Sequence, residues 1–105
     1  MTSFLRGQVY WATFDEKLGR KPWLVVSNNL RNRSLNDVLV ARITTSPKPR
    51  LSSIVELPHG ECVAGSVLCD DLTAMYEDDN PVLIGALSPA VMLSVDSALA
   101  SALGL

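Results

Sequence analysis

Residues 37–45, DVLVARITT, indicate the fold class of this chain. The stretch is rich in β-branched residues, and its apolar residues fall on both faces of an extended chain. A strand that is apolar on both faces is typical of the covered centre of a sheet. Pro47 and Pro49 follow within SPKPR (46–50) and end the strand, because proline cannot donate a hydrogen bond to a sheet. The sequence therefore predicts a sheet built outward from residues 37–45.

Further short strands are predicted on either side of this central one along the chain. Turn segments rich in charged residues, glycine or proline separate them, such as DEKLGR (15–20), PHG (58–60) and YEDDN (76–80). The predicted strands are QVYWATF (8–14), PWLVVSN (22–28), SSIVEL (52–57), GSVLCDDL (65–72) and PVLIGAL (81–87). The chain thus contains five or six short strands.

The end of the chain has the periodicity of a helix. Ser88 can cap a helix whose first residue is Pro89, and Gly104 is placed to end it. Between them, apolar residues recur at spacings of three and four, namely Val91, Val95, Ala98, Leu99 and Ala102. Serines lie on the other side of the helix. We therefore predict one domain over residues 1–105, mainly β with a C-terminal α-helix. Its sheet is expected to be a small β-barrel or a strongly curled sheet, closed on one side by the helix.

Charge is divided unevenly between the two halves of the chain. All nine lysines and arginines lie in the first 50 residues with only three acidic residues, whereas the second half has eight acidic residues and no basic one. The halves therefore carry about +6 and -8, although the net charge is only -2. Such a division indicates a cationic face that can attract an anionic polymer. A chance division of solvated surface charges is the alternative.

Several classes of protein are disfavoured by the composition. No run approaches the roughly 20 apolar residues of a membrane span, and MTSFLRGQVYW (1–11) lacks the apolar segment of a secretory signal, so we expect a cytoplasmic protein. Cys62 and Cys69 form no Cys-x-x-Cys pair and have no histidine-rich surroundings, which argues against a zinc site. We expect both to be reduced and mostly buried thiols.

Four of these segments together resemble a known family. RGQVYWATF, GRKPWLVVSNN, VLVARITTS and GSVLCDDL, followed by a terminal helix, are similar in order and spacing to the MazF/PemK family of toxin endoribonucleases. The resemblance covers nearly the whole chain. It implies an SH3-like barrel that forms a homodimer, with RNA bound in a groove between the subunits. It also implies RNA cleavage that needs no metal and no cofactor, and inhibition by a cognate MazE-like antitoxin whose acidic, disordered segment occupies the RNA groove.

RNA cleavage makes small demands on the protein, because the 2′-hydroxyl of RNA is itself a nucleophile. Aligning its attack on the adjacent phosphorus and stabilising charge on the phosphoryl oxygens can be done by one cation and one hydroxyl. In the family these are a threonine near the end of the third strand, which falls on Thr44, and an arginine before the proline that opens the second strand, which falls on Lys21. Lysine lacks the planar fork of arginine, so Lys21, Arg42 or Arg20 can supply the cation. Arg42 is included because residues 42 and 44 of one strand point to the same face.

Other residues are candidates for holding the substrate. Asn28 and Asn29 follow the second strand and offer amide donors and acceptors, although asparagine is equally typical of turns. The family resemblance places further candidates in a loop that borders the RNA groove: Thr45, Ser46 and Lys48. Arg20 is added from the turn before Lys21. The loop between the first two strands is shorter than in many relatives, which predicts an open entrance able to admit folded RNA as well as a single strand.

Three more residues have side chains that could act on RNA, but a structural role is the simpler interpretation of each. His59 lies between Pro58 and Gly60, where a turn residue is expected, and the chain has no second histidine to complete an acid–base pair. Trp11 and Trp23 can stack on bases, but packing in the core or in a dimer is the simpler interpretation.

Two other classes of function remain as alternatives to a ribonuclease. One is a gyrase poison like the CcdB relatives of the family, whose activity relies on a C-terminal Trp-Gly-Ile that is absent here, since the chain ends in LGL. The other is a noncatalytic SH3-like binding module.

Overall fold

The computed structural model describes residues 2–105, which contain six strands and two α-helices. The strands are β1 (Gln8–Ala12), β2 (Lys21–Val25), β3 (Asp37–Thr44), β4 (Ile54–Glu56), β5 (Ser66–Tyr76) and β6 (Val82–Ala86). The helices are α1 (Asn29–Ser34) and α2 (Pro89–Leu103), and a single 3-10 turn, Glu77–Asp79, joins β5 to β6. These bounds confirm all six predicted strands. Neither α-helix within residues 2–105 has the length and apolar character needed to cross a membrane.

The strands form one antiparallel sheet in the order β4-β5-β3-β2-β1-β6. β3 lies between β5 and β2, which confirms the central position predicted for residues 37–45. β4 and β6 are edges that do not pair with each other, so the sheet is open and a closed barrel is not observed. β4 has only three residues and leaves one edge with few backbone groups to pair. The fold is an open sheet that α2 covers on one face.

Each face of the sheet carries its own apolar core. α2 covers one face with Val91, Val95 and Ala98, which pack over buried residues of β1, β2, β3 and β5. The opposite face carries a second buried cluster: Phe4, Tyr10, Ala12, Trp23, Val25, Val38, Val40 and Met75. The apolar character of β3 on both faces follows from this arrangement, because each face of β3 meets a different core.

The limits of α2 agree with those predicted from its capping residues. The Ser88 hydroxyl accepts a hydrogen bond from the Val91 N–H at 3.3 Å, which satisfies one of the free donors of the first turn. Gly104 ends the helix in the left-handed conformation, with φ of 73°. Both signals lie in the local sequence, which is why the helix could be placed in advance.

The prediction of a single helix was wrong, because α1 follows β2 directly. Asn28 caps α1, its side-chain oxygen accepting a hydrogen bond from the Arg31 N–H at 2.8 Å. The buried Asn32 then fixes the helix to the end of β2: its Oδ1 accepts from the Ser27 hydroxyl at 2.6 Å, and its Nδ2 donates to the Ser27 carbonyl at 3.0 Å. A helix of six residues is too short to show a periodicity in the sequence.

The two cysteines differ in their surroundings, and neither forms a disulfide. Cys69 is buried in the core under α2, and burial raises the pKa of its thiol to about 11. Cys62 is exposed, so the prediction that both thiols are mostly buried was wrong for this one. The reason is that Cys62 belongs to the loop between β4 and β5, whereas Cys69 lies within β5.

Candidate functional site

Lys21 and Thr44 meet where β2 begins and β3 ends. The two strands are antiparallel, with Trp23 opposite Arg42 and Leu24 opposite Ala41. Extending this register by two residues places Lys21 opposite Thr44. Directly opposed residues of an antiparallel pair have Cβ atoms about 5 Å apart and point to the same face. The two residues that the family resemblance singled out are therefore cross-strand neighbours.

A cavity of about 450 Å³ opens at this end of the sheet, and we call it the Lys21–Thr44 groove. Its lining joins polar residues to an apolar wall: Trp11, Arg20, Lys21, Pro22, Ile43, Thr44, Thr45, Ser46, Val63 and Ala64. An adjoining cavity of about 320 Å³ shares Thr44, Thr45 and Ser46 and adds Lys48. Six of the nine predicted site residues are thereby brought to one region.

The Thr44 hydroxyl is oriented by the turn that follows β3. Its Oγ1 accepts a hydrogen bond from the Ser46 N–H at 3.1 Å. A threonine hydroxyl has one hydrogen to donate and two lone pairs, and this contact occupies a lone pair. Thr44 is half-buried, so its hydrogen remains available to a ligand in the groove.

Gly65 holds the end of β3 in place, a role that the sequence did not reveal. Its φ of +116° is one that residues with a side chain rarely adopt. A Cβ built on Gly65 lies 2.3 Å from the Thr44 carbonyl oxygen, closer than any real contact. Only glycine therefore lets β5 start so close to Thr44.

The cations near the groove differ in whether an acid neutralises them. Residues 2–105 contain three ion pairs, Arg6–Asp96, Arg31–Asp37 and Arg42–Asp71. Arg20, Lys21 and Lys48 belong to none of these. Arg20 and Lys21 line the Lys21–Thr44 groove, which has no carboxylate on its lining, whereas Lys48 lines the adjoining cavity together with Glu56.

Arg42 occupies the face predicted for it but does not line the groove. Its Nε lies 2.8 Å from Asp71 Oδ2. The Nε–H does not point at that oxygen, so the contact is an ion pair without a hydrogen bond. The partner was hidden from sequence reasoning because β5 brings Asp71 beside Arg42 across a register shift between Ala41 and Arg42.

Asn28 and Asn29 lie at the other end of β2 from Lys21. The seven steps along the chain from Lys21 to Asn28 span about 23 Å in extended form. The Asn28 side chain caps α1, and the Asn29 Oδ1 accepts a hydrogen bond from the Arg6 N–H at 2.7 Å. The structure thus does not bring them to the groove.

Trp11 lines the groove, whereas Trp23 is packed in the core. The Arg20 guanidinium carbon lies 5.1 Å from the centre of the Trp11 ring, a cation–π contact. Trp23 is only 7% exposed and packs edge-on against Phe14, with ring centres 4.8 Å apart. The core interpretation is therefore confirmed for Trp23, whereas Trp11 is only half-buried and its packing in a dimer stays a prediction. His59 is exposed in a turn, as predicted.

Metal ligands were not predicted, and the described residues 2–105 hold no group of three or more histidine, cysteine or acidic side chains placed to bind a metal. The expectation that cleavage needs no metal and no cofactor stays a prediction.

Comparison with known proteins identifies relatives of the whole chain. A family model described as PemK-like, MazF-like toxin of type II toxin-antitoxin system matches residues 5–103. The chain is 39% identical over 105 residues to Endoribonuclease MazF4 of Mycobacterium tuberculosis and to Endoribonuclease MazF1 of Mycobacterium bovis, covering 100% of this chain and 97% of each relative. A solved mycobacterial endoribonuclease, in complex with its cognate antitoxin, superposes with a TM-score of 0.90 at 38% identity, covering 98% of this chain and 97% of that one.

Proposed function

This chain belongs to the family of PemK-like, MazF-like toxins of type II toxin-antitoxin systems, and we propose that it cuts RNA in the Lys21–Thr44 groove. It is an endoribonuclease toxin of that family, like the relatives it matches over its whole length. The observation that carries the site assignment is that Lys21 and Thr44 line one groove whose lining has no carboxylate.

The reaction uses the nucleophile that RNA carries. The 2′-oxygen forms a bond to the adjacent phosphorus and loses its proton, while the bond from phosphorus to the 5′-oxygen breaks and that oxygen gains a proton. The products are a 2′,3′-cyclic phosphate and a 5′-hydroxyl. No water molecule has to be activated for this step, so the task that a metal ion performs in many nucleases does not arise.

Thr44 has the geometry of a hydrogen-bond donor to the scissile phosphate. Because the Ser46 N–H occupies a lone pair of its oxygen, the hydroxyl hydrogen can be directed into the groove. A donor already aimed at a phosphoryl oxygen stabilises the charge that accumulates there without reorganising during the reaction.

Lys21 is the cation that the surroundings favour. It lies opposite Thr44, lines the same groove and has no ion-pair partner within residues 2–105. Arg42 instead contacts Asp71, and a cation that already faces a carboxylate attracts a phosphate less strongly. Arg20 is held over Trp11, at the edge of the groove. We therefore assign charge stabilisation to Lys21.

Substrate holding is assigned to the residues that continue the groove away from Thr44. Thr45 and Ser46 line both cavities, and Lys48 lines the second, which also contains Glu56. Thr45, Ser46 and Lys48 are exposed, so a strand of RNA can reach them. Asn28 and Asn29 have no part in this proposal, since their side-chain oxygens serve α1 and Arg6.

The proposed partners of the toxin follow from the same cationic surface. A mycobacterial relative is solved with its cognate antitoxin, and a MazE-MazF complex is solved from Deinococcus radiodurans. We infer that a MazE-like antitoxin places an acidic, disordered segment in the Lys21–Thr44 groove, where it competes with RNA. Both partners would be met in the cytoplasm, where cellular RNA is found.

We further propose that two copies form the working toxin, each with an SH3-like sheet. Strand pairing shifts register at Val9/Tyr10 and at Ala41/Arg42, and shifts of this kind are typical of bent sheets. Val82 and Leu83, on the edge strand β6, are more than half exposed and offer apolar surface to a second copy.

Incubating the purified protein with total RNA in EDTA tests the proposed reaction. Mapping new 5′ ends should show discrete cuts that carry 5′-hydroxyls. RNA methylated at every 2′-oxygen should stay intact, since its nucleophile is blocked. Cuts that carry 5′-phosphates, or cleavage that EDTA abolishes and magnesium restores, would overturn the mechanism.

A further inference from the structure

We propose that Trp11 is a stacking platform for an unpaired RNA base, and that Arg20 covers this platform in the free protein. The inference rests on the proposed function and adds to it a subsite for one base beside the scissile phosphate. A base on this ring has to leave its pair, so the subsite takes an unpaired base.

The position of Trp11 in the sheet carries the first step. Trp11 lies opposite Pro22 on β2 and opposite Val82 on the edge strand β6. It is half-buried and lines the groove together with Pro22. The ring is thus backed by rigid strands while part of its surface faces the cavity, as a stacking residue requires.

The contact with Arg20 carries the second step. The guanidinium carbon sits 5.1 Å from the ring centre, so a cation already occupies the aromatic surface. Arg20 is exposed and has no ion-pair partner within residues 2–105, so nothing else holds it there. A cation over an exposed ring is bound more weakly than a base stacked on it. A base can therefore displace Arg20, which is then free to contact the phosphate next to that base.

The chain offers an internal control, because its only other tryptophan is in the core. Trp23 is 7% exposed, packs against Phe14 and does not line the groove. Trp23→Phe leaves Trp11 as the single tryptophan, and Trp11→Phe leaves Trp23. The fluorescence of each variant then reports on one ring.

The first measurement is a fluorescence titration of both variants with a short single strand of mixed sequence, methylated at every 2′-oxygen so that it cannot be cut. Emission from Trp11 in Trp23→Phe should be strongly quenched, while emission from Trp23 in Trp11→Phe should stay unchanged. A duplex of the same sequence should quench Trp11 far less. Equal changes in both variants, an unquenched Trp11, or equal quenching by the duplex would overturn the proposal.

The second measurement separates stacking from charge through the salt dependence of binding. Trp11→Leu should weaken binding of the same strand about tenfold without changing the slope of log K against log salt. Arg20→Gln should lower that slope, because one phosphate contact is lost. Trp11→Phe, which keeps an aromatic ring, should lose less than Trp11→Leu and serves as the variant least exposed to misfolding. A Trp11→Leu variant that binds as tightly as the unmodified protein contradicts the platform.

Cleavage of unmodified RNA by the same preparations distinguishes this inference from the proposed function. Cleavage without quenching of Trp11 removes the platform and leaves the endoribonuclease mechanism in place. Quenching of Trp11 without cleavage supports the platform and removes the mechanism.

Discussion

The two ends of β2 use polar residues in opposite ways. At its end, the polar groups of Ser27, Asn28, Asn29 and Asn32 are occupied by one another, by α1 and by Arg6. At its start, Lys21 has no carboxylate partner, and the Thr44 hydroxyl opposite it keeps its hydrogen free. Polar groups that satisfy each other build the fold, whereas groups left with free charge or hydrogen-bonding capacity can act on a ligand.

This contrast predicts that substitutions at the start of β2 change cleavage and substitutions at its end change stability. Both ends carry polar side chains, so polarity alone does not separate them.

Thr44→Ala should lower the rate of RNA cleavage by about a hundred- to a thousandfold, which is typical when one donor to a developing oxyanion is removed. The melting temperature should change little, since Thr44 is half-buried and its neighbours can remain in place. Single-turnover cleavage and a thermal melt measure the two effects. Thr13→Ala, at an exposed position outside the groove, is the matched control and should cleave normally. A Thr44→Ala variant that cuts as fast as this control would remove Thr44 from the mechanism.

Gly65→Ala should lower both stability and cleavage. Its φ of +116° strains a residue with a side chain by about 1–3 kcal/mol. An ideal Cβ on residue 65 lies 2.3 Å from the Thr44 carbonyl oxygen, so the substitution must also move that carbonyl. Urea unfolding and single-turnover cleavage give the two quantities.

Gly60→Ala is the control for this substitution, because Gly60 also has a positive φ of +99° but open space around its ideal Cβ. Gly60→Ala should lose only the stability that the backbone strain costs, and its cleavage rate should stay normal. Equal cleavage by the two variants would show that the contact between Gly65 and Thr44 does not position the hydroxyl.

Asn28→Ala should destabilise the protein by about 1 kcal/mol, because it removes the cap of α1. Cleavage should stay within about twofold, since this end of β2 holds no substrate in our account. Asn28→Asp restores a capping acceptor and should recover most of the stability. A large loss of RNA binding in Asn28→Ala, with stability intact, would instead return Asn28 to the substrate-binding residues.

Local signals made much of the fold predictable. The apolar run of β3, the cap at Ser88 and the stop at Gly104 each act within a few residues, and the structure places each as expected. α1 was missed because six residues are too few for a periodicity. The open edge of the sheet was not predictable either, since it depends on how strands far apart in sequence pair.

The site was predictable only in its strand positions. The family resemblance named Lys21 and Thr44, and the register of β2 and β3 explains why two residues so distant in sequence belong together. The remaining features depend on contacts across the sheet: Asp71 beside Arg42, Gly65 against Thr44 and Arg20 over Trp11. No local pattern encodes such contacts.

Single-turnover cleavage by Lys21→Ala and Arg42→Ala, compared on one RNA at saturating protein, decides which cation assists Thr44. Our account predicts that Lys21→Ala loses about ten- to a hundredfold in rate, that Lys21→Arg keeps most of it, and that Arg42→Ala stays within about threefold. A large loss in Arg42→Ala, with Lys21→Ala nearly normal, would contradict the account and assign the cation to Arg42.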